Sequence, residues 1–194
     1  MKPALIIART RRSLRRFLAD KRGVSAVEFA MLLPLMVTLY LGGVEVSQGV
    51  AVDRKMTLVA RTLGDLTAQA TNVNDSDMNN IKAAATAVVA PFDASKLGFT
   101  ISSVIIDAQK VAKIKWSDTN AIVATRHLGD VVTTLVPVKL RESSTYPIYL
   151  VWAETNYAYT PAIGYVITGT MNLTDQIFMR PRQSDCVQRS SVPC

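Results

Sequence analysis

The chain is poor in the side chains that most chemistry depends on. It has one histidine, His127, and two cysteines, Cys186 and Cys194. A nucleophile needs a base within hydrogen-bond reach, and a lone histidine in "ATRHLGD" has no matching motif around it. No GxSxG, HExxH or glycine-rich phosphate loop occurs. A zinc site needs four ligands, and His127 lies far in sequence from the cysteine pair. The densest carboxylate cluster, "NVNDSD", lacks the glycine and the distal glutamate that a calcium loop requires. It reads as a solvated turn, and His127 as structural. The sequence therefore predicts no catalytic residues, no metal and no cofactor, and a protein that is not an enzyme.

Acidic charge is scarce at the N-terminus. The chain carries 22 Lys and Arg against 15 Asp and Glu, a net +7. Residues 1–22 hold eight of the cations and only one acid, Asp20, so the arm accounts for the whole excess and the rest is neutral. Such an arm suits nucleic acid, an import peptide or a cytoplasmic membrane face. Phe17 is its one aromatic, too few for a single-strand binder, so no nucleic-acid partner is expected.

Next to the arm is a long apolar run whose one charge is Glu28. Val24 to Val44 is 21 residues, about 31 Å as a helix, which matches a hydrocarbon core of about 30 Å. A secretory signal has a shorter apolar core, about 7–15 residues, although Gly42 and Gly43 offer a cleavage site for that alternative. A single anchor with the arm in the cytoplasm fits better. Beyond it, Val52, Met56, Val59, Leu63 and Leu66 recur at helical spacing with Asp53, Arg54, Lys55, Arg61 and Asp65 between them. This predicts one helix from about Val24 to Ala68, apolar all round in its first half and amphipathic in its second. The stripe suits a partner helix or the chain's own body.

Residues 71–77 are turn-rich. Ser76 or Asp77 would cap a second helix over "DMNNIKAAATAVVA", with Met78, Ile81, Ala85 and Val88 inward and Pro91 ending it. The remainder reads as strands at 99–107, 111–116, 130–140 and 145–159, the last two as a hairpin with exposed or bulged edges at Pro137 and Pro147. "NLT" at 172–174 fits a glycosylation pattern too common to carry weight. The expected class is α+β: a long N-terminal helix, transmembrane then amphipathic, a second short helix and an antiparallel β-sheet body. The expected segments are 1–23, a basic cytoplasmic leader; 24–44, the transmembrane helix; 45–70, its amphipathic continuation; and 71–194, the body. If the body lies outside the cytoplasm, Cys186 and Cys194 can form a disulfide; otherwise they are two thiols on the tail.

The opening unit resembles the N-terminus of type IV prepilins and pseudopilins: a basic cluster, Gly23, then Glu28 five residues later and a long apolar helix. Lys21, Arg22, Gly23, Ala26, Val27, Glu28, Phe29, Pro34 and Glu45 narrow it to the TadE-like family of the tight-adherence, Flp-type pilus system. The resemblance covers about 50 residues, and "FMRPRQSDCV" is similar to the end of some members. It implies a type IV pilin-like fold and a minor pilin or pseudopilin in the bacterial inner membrane, with a periplasmic body, either part of the extracellular pilus or at its base. It implies cutting by prepilin peptidase between Gly23 and Val24, with Glu28 and Phe29 in the processing and assembly motif. The implied partners are that peptidase, other pilin subunits in a homo- or hetero-oligomer, and the assembly platform. Physically, a new amine at Val24 would stand one helical turn from Glu28. Pairing would offset the cost of an ionised group in lipid, which starts at about 2.5 kcal/mol at a helix centre. The alternative is an unprocessed, signal-anchored periplasmic binding module or adhesin with "TYPIYLVWAETNYAY" as its ligand face.

Overall fold

The computed structural model describes residues 23–120, 125–190 and 192. Helix α1 runs Val24–Ala68 without a break, 45 residues and about 67 Å. Pro34 lies inside it, and Thr38 Oγ1 donates to the Pro34 carbonyl at 2.8 Å. Two short strands, β1 (Asn72–Val73) and β6 (Gln188–Arg189), pair in parallel near its C-terminal end. Helix α2 runs Asp75–Val89. Strands β2 (Leu97–Ile106), β3 (Ala112–Thr119), β4 (Ile148–Tyr159) and β5 (Met171–Met179) form one antiparallel sheet in the order β3-β2-β4-β5. The class is α+β, as the sequence predicts.

The amphipathic half of α1 is the spine of the body. Val52, Met56, Val59 and Leu63 are fully buried against Phe99, Ile101, Val151, Ala153, Tyr157 and Tyr159 of the sheet. The stripe therefore packs on the chain's own body. Leu66 is the exception and stays exposed, because Thr67 and Ala68 turn inward at the last contact. Helix α2 lies on the same side, with Met78, Ile81, Ala85 and Val89 buried; Val88 only flanks the core. Its cap is Asn74, two or three residues earlier than Ser76 or Asp77. The Asn74 side chain accepts the Asp77 N–H at 2.9 Å, and the Asp77 carboxylate accepts the Asn74 N–H at 3.1 Å. The turn-rich acidic cluster is thus a capping box.

The sheet's other face has its own cover. Segment 130–140 is not a strand. Val132 and Val136 are both buried while Val131 and Leu135 are exposed, a period of four rather than two. The Leu135 and Val136 N–H groups both bond the Val132 carbonyl, a single helical turn, and Val138–Arg141 forms a 3-10 turn. This cover packs on Val104, Ile114, Ile148, Leu150 and Trp152. Consequently β4 is a central strand between β2 and β5, not half of an edge hairpin, and Pro147 stands just before it. Strand β3 continues through Ser117, Asp118 and Thr119, past the predicted end at Trp116.

The C-terminal segment is tied in by polar contacts. Trp116 Nε1 donates to the Val187 carbonyl at 2.7 Å. Arg189 reaches Asp118 at 3.0 Å and Asp75 at 2.7 Å, and Lys82 reaches Asp118 at 2.6 Å. Burial works to raise the Asp118 carboxyl, but the hydrogen bonds and charges of Lys82 and Arg189 outweigh it and hold it below the usual aspartate range. Cys186 is buried and not free, while Cys194 lies outside the described residues.

Candidate functional site

The exposed half of α1 is the first candidate. Every residue from 23 to 37 is exposed, and Leu39 and Tyr40 continue the apolar surface at 68% and 72% exposure. None of these side chains is used to build the body. By length and composition this helix is long and apolar enough to cross a membrane. Gly23 is exposed and stands at the helix N-cap without a side-chain cap hydrogen bond. Val24, Glu28 and Phe29 lie on the first turns, all exposed. The cutting point that the resemblance implies falls at this exposed helix start. The leader residues, 1–22, lie outside the described residues.

The second candidate is where this half meets the body. Glu45 is buried, one residue past the span predicted from the sequence. Its carboxylate accepts three successive backbone N–H groups: Tyr165 at 2.7 Å, Val166 at 3.1 Å and Ile167 at 2.7 Å. Gly164, with φ +65, turns the chain so that these donors converge, as in backbone anion nests. The Ile167 N–H does most to hold the carboxyl below its ordinary value; burial opposes, and the Tyr165 and Val166 N–H groups add to the lowering. The Tyr159 hydroxyl donates to the Glu45 carbonyl at 3.2 Å. Burial, then the nearby Glu45 charge, raises the tyrosine's pKa.

Small residues let the loop and sheet approach the helix. A Cβ at Gly42 would stand 3.2 Å from Val166 Cγ2, and one at Gly49 3.5 Å from Tyr159 Cε1. Gly42, Glu45, Gly49, Val52, Met56, Val59 and Leu63 alternate spacings of three and four, one continuous face. The buried stripe begins at Glu45, seven residues before Val52, where hydrophobic periodicity first shows it, with half-buried Gly42 ahead of it. Two glycines and a glutamate carry no hydrophobic signal, so the sequence discloses Glu45's presence and not its burial.

Apart from Tyr159, the remaining candidates lie away from this junction. His127 is exposed in a turn, its backbone N–H donating to Asp130 at 2.7 Å. No group of His, Cys, Asp or Glu suited to a metal occurs among the described residues. Of the tyrosine-rich strand, Trp152, Tyr157 and Tyr159 are buried. Arg126 stacks 3.9 Å over the Trp152 ring and forms a two-point pair with Glu154, one arm at 2.8 Å. These three aromatics fill the core, while Tyr146 and Tyr149 are half-buried.

No curated protein matches the chain, and no solved structure does. A family model does match, over residues 23–63, from the glycine before α1 to the last leucine of the buried stripe. It takes in Gly23, Glu28, Pro34 and Glu45 but none of the sheet, and it is the model of the TadE-like protein family, the one the opening unit resembles.

Proposed function

We propose that this chain is a non-enzymatic, membrane-anchored minor pilin or pseudopilin that takes part in assembly of a tight-adherence, Flp-type pilus. The observation that carries the reading is a coincidence of boundaries. The TadE-like match begins at Gly23, where the exposed apolar helix begins, and includes the acidic residue that locks helix to body. The basic arm lies in the cytoplasm, α1 crosses the inner membrane once, and the body stands in the periplasm. There Cys186 and Cys194 form a disulfide. Prepilin peptidase cuts between Gly23 and Val24. The new amine pairs with Glu28 of its own chain or of a neighbouring subunit, and the apolar helix then joins a bundle of pilin helices on the assembly platform.

Sequencing the N-terminus of membrane-extracted protein tests the cut. A start at Val24 is expected, and an intact Met1 counts against maturation. Glu28→Gln tests the role: lost pili with normal membrane insertion support it. Unchanged assembly favours an unprocessed, signal-anchored binding module or adhesin.

A further inference from the structure

The loop between β4 and β5, residues 160–170, is built at the level of the membrane boundary. Val166 packs on Gly42, two residues inside the C-terminal limit of the span, about 3 Å along the axis. Glu45, which holds the loop, lies one residue outside that limit. The loop "TPAIGYVITGT" contains no charged residue. Its apolar side chains nevertheless face outward: Ile163 is 50% exposed, Tyr165 59% and Val166 47%. Leu39, three residues before Gly42 and so on the same face of α1, is exposed as well, at 68%.

The charge and three backbone donors at this end are turned inward. The Glu45 carboxylate is covered, and in covering it the N–H groups of Tyr165, Val166 and Ile167 are themselves satisfied. Irregular backbone near lipid is tolerated only where its polar groups have partners. A tyrosine with an apolar ring and a polar tip is the side chain that settles at the headgroup level. We propose that residues 163–166 insert into the headgroup region of the outer leaflet. The body then has a second membrane contact beside its helix, fixing its tilt on the bilayer. The occupant of this apolar surface is lipid, and the inference rests on the membrane-anchored reading above.

Tryptophan quenching tests it in the full chain, reconstituted into phosphatidylethanolamine–phosphatidylglycerol vesicles with and without lipid brominated near the headgroup. Three variants are compared with the unsubstituted chain, whose Trp116 and Trp152 are buried. Leu39→Trp marks the span, Leu128→Trp marks an exposed position in the turn before the 130–140 cover, and Tyr165→Trp reports the loop. The added emission of Tyr165→Trp is expected to be blue-shifted and quenched by the brominated lipid, as for Leu39→Trp, while Leu128→Trp is not. If Leu39→Trp is quenched and Tyr165→Trp behaves like Leu128→Trp, the loop inference is overturned and the anchor stands. If Leu39→Trp is not quenched, both fall. Shielding of position 165 that grows with protein density without bromine quenching assigns the surface to a second copy and overturns the proposal. Ile163→Trp repeats the readout at a position whose N–H does not bond Glu45.

Discussion

The Glu45 carboxylate accepts the Ile167 N–H at 2.7 Å across 122 residues of chain. This bond and its two neighbours tie α1, just past its apolar half, to the loop that follows β4. Without the carboxylate, three inward-facing N–H groups lose their acceptor. Glu45→Gln keeps the shape but brings an NH2 group toward those donors. In this variant the amides of residues 165–167 are expected to exchange with solvent faster than in the parent, while those of β2 and β4 stay protected. Hydrogen exchange in detergent checks this. Unchanged protection at 165–167 would mean that packing of Val166 on Gly42 holds the loop without the charge.

Acid should loosen this junction and the tie of β3 to the C-terminal segment. Glu45 and Asp118 both sit below their ordinary values of 4.5 and 3.8 in the folded protein. A carboxyl lowered on folding stabilises the native state fully above its unfolded value, and the contribution fades as pH falls through the lower folded value. Thermal stability in detergent is therefore expected to be level from about pH 7 to about pH 5 and to fall below that. Asp118→Asn, which removes one of the two groups, should lower stability at neutral pH and flatten the acid decline. A decline already under way at about pH 6 would point to other groups.

How far the sequence foretells this structure depends on whether each face is marked by apolar residues. Val52 to Leu63 announces the buried half of α1 because four large apolar side chains keep helical spacing. The part at Gly42, Glu45 and Gly49 belongs to the same face but is defined by close approach and a buried charge. Its partners, residues 165–167, lie far along the chain. Strand β5 reads weakly because Asp175 interrupts the alternation of Leu173, Ile177 and Met179 against α1. Segment 130–140 misleads for the opposite reason: it is rich in valine and threonine, yet it crosses a sheet face with a helical turn. The opening motif is legible because it is local, and the family match lies wholly on this one helix and the glycine before it.

Gly64 marks a close approach of α1 to β5. A Cβ there would stand 3.3 Å from both Ile177 Cγ2 and Met179 Sδ, and 3.6 Å from Ala153 Cβ. Alanine in place of a mid-helix glycine gains up to about 1 kcal/mol of helix propensity. Here the two side-chain ends must shift by tenths of an ångström, so Gly64→Ala is expected to be near neutral. Gly64→Leu has no such room and should cost about 1–3 kcal/mol through overpacking. Chemical unfolding of the two variants in one detergent checks the contrast. A leucine tolerated as well as alanine would show that β5 can move off the helix.

Thr67 gives a prediction of opposite sign. Its Oγ1 is buried and has no hydrogen-bond partner among the described residues. A hydroxyl taken from water and left unpaired costs about 1–3 kcal/mol. Valine has the same branched shape, a similar helix propensity and no hydroxyl to desolvate. Thr67→Val is therefore expected to stabilise the protein by about 1 kcal/mol, raising Tm by about 2–4 °C for a chain of this size. Thr67→Ser keeps the hydroxyl and removes the methyl, so it should lower Tm. The pair separates the hydroxyl's cost from the methyl's packing: a valine variant that melts below the parent would mean that a bound water satisfies Oγ1 in the native state.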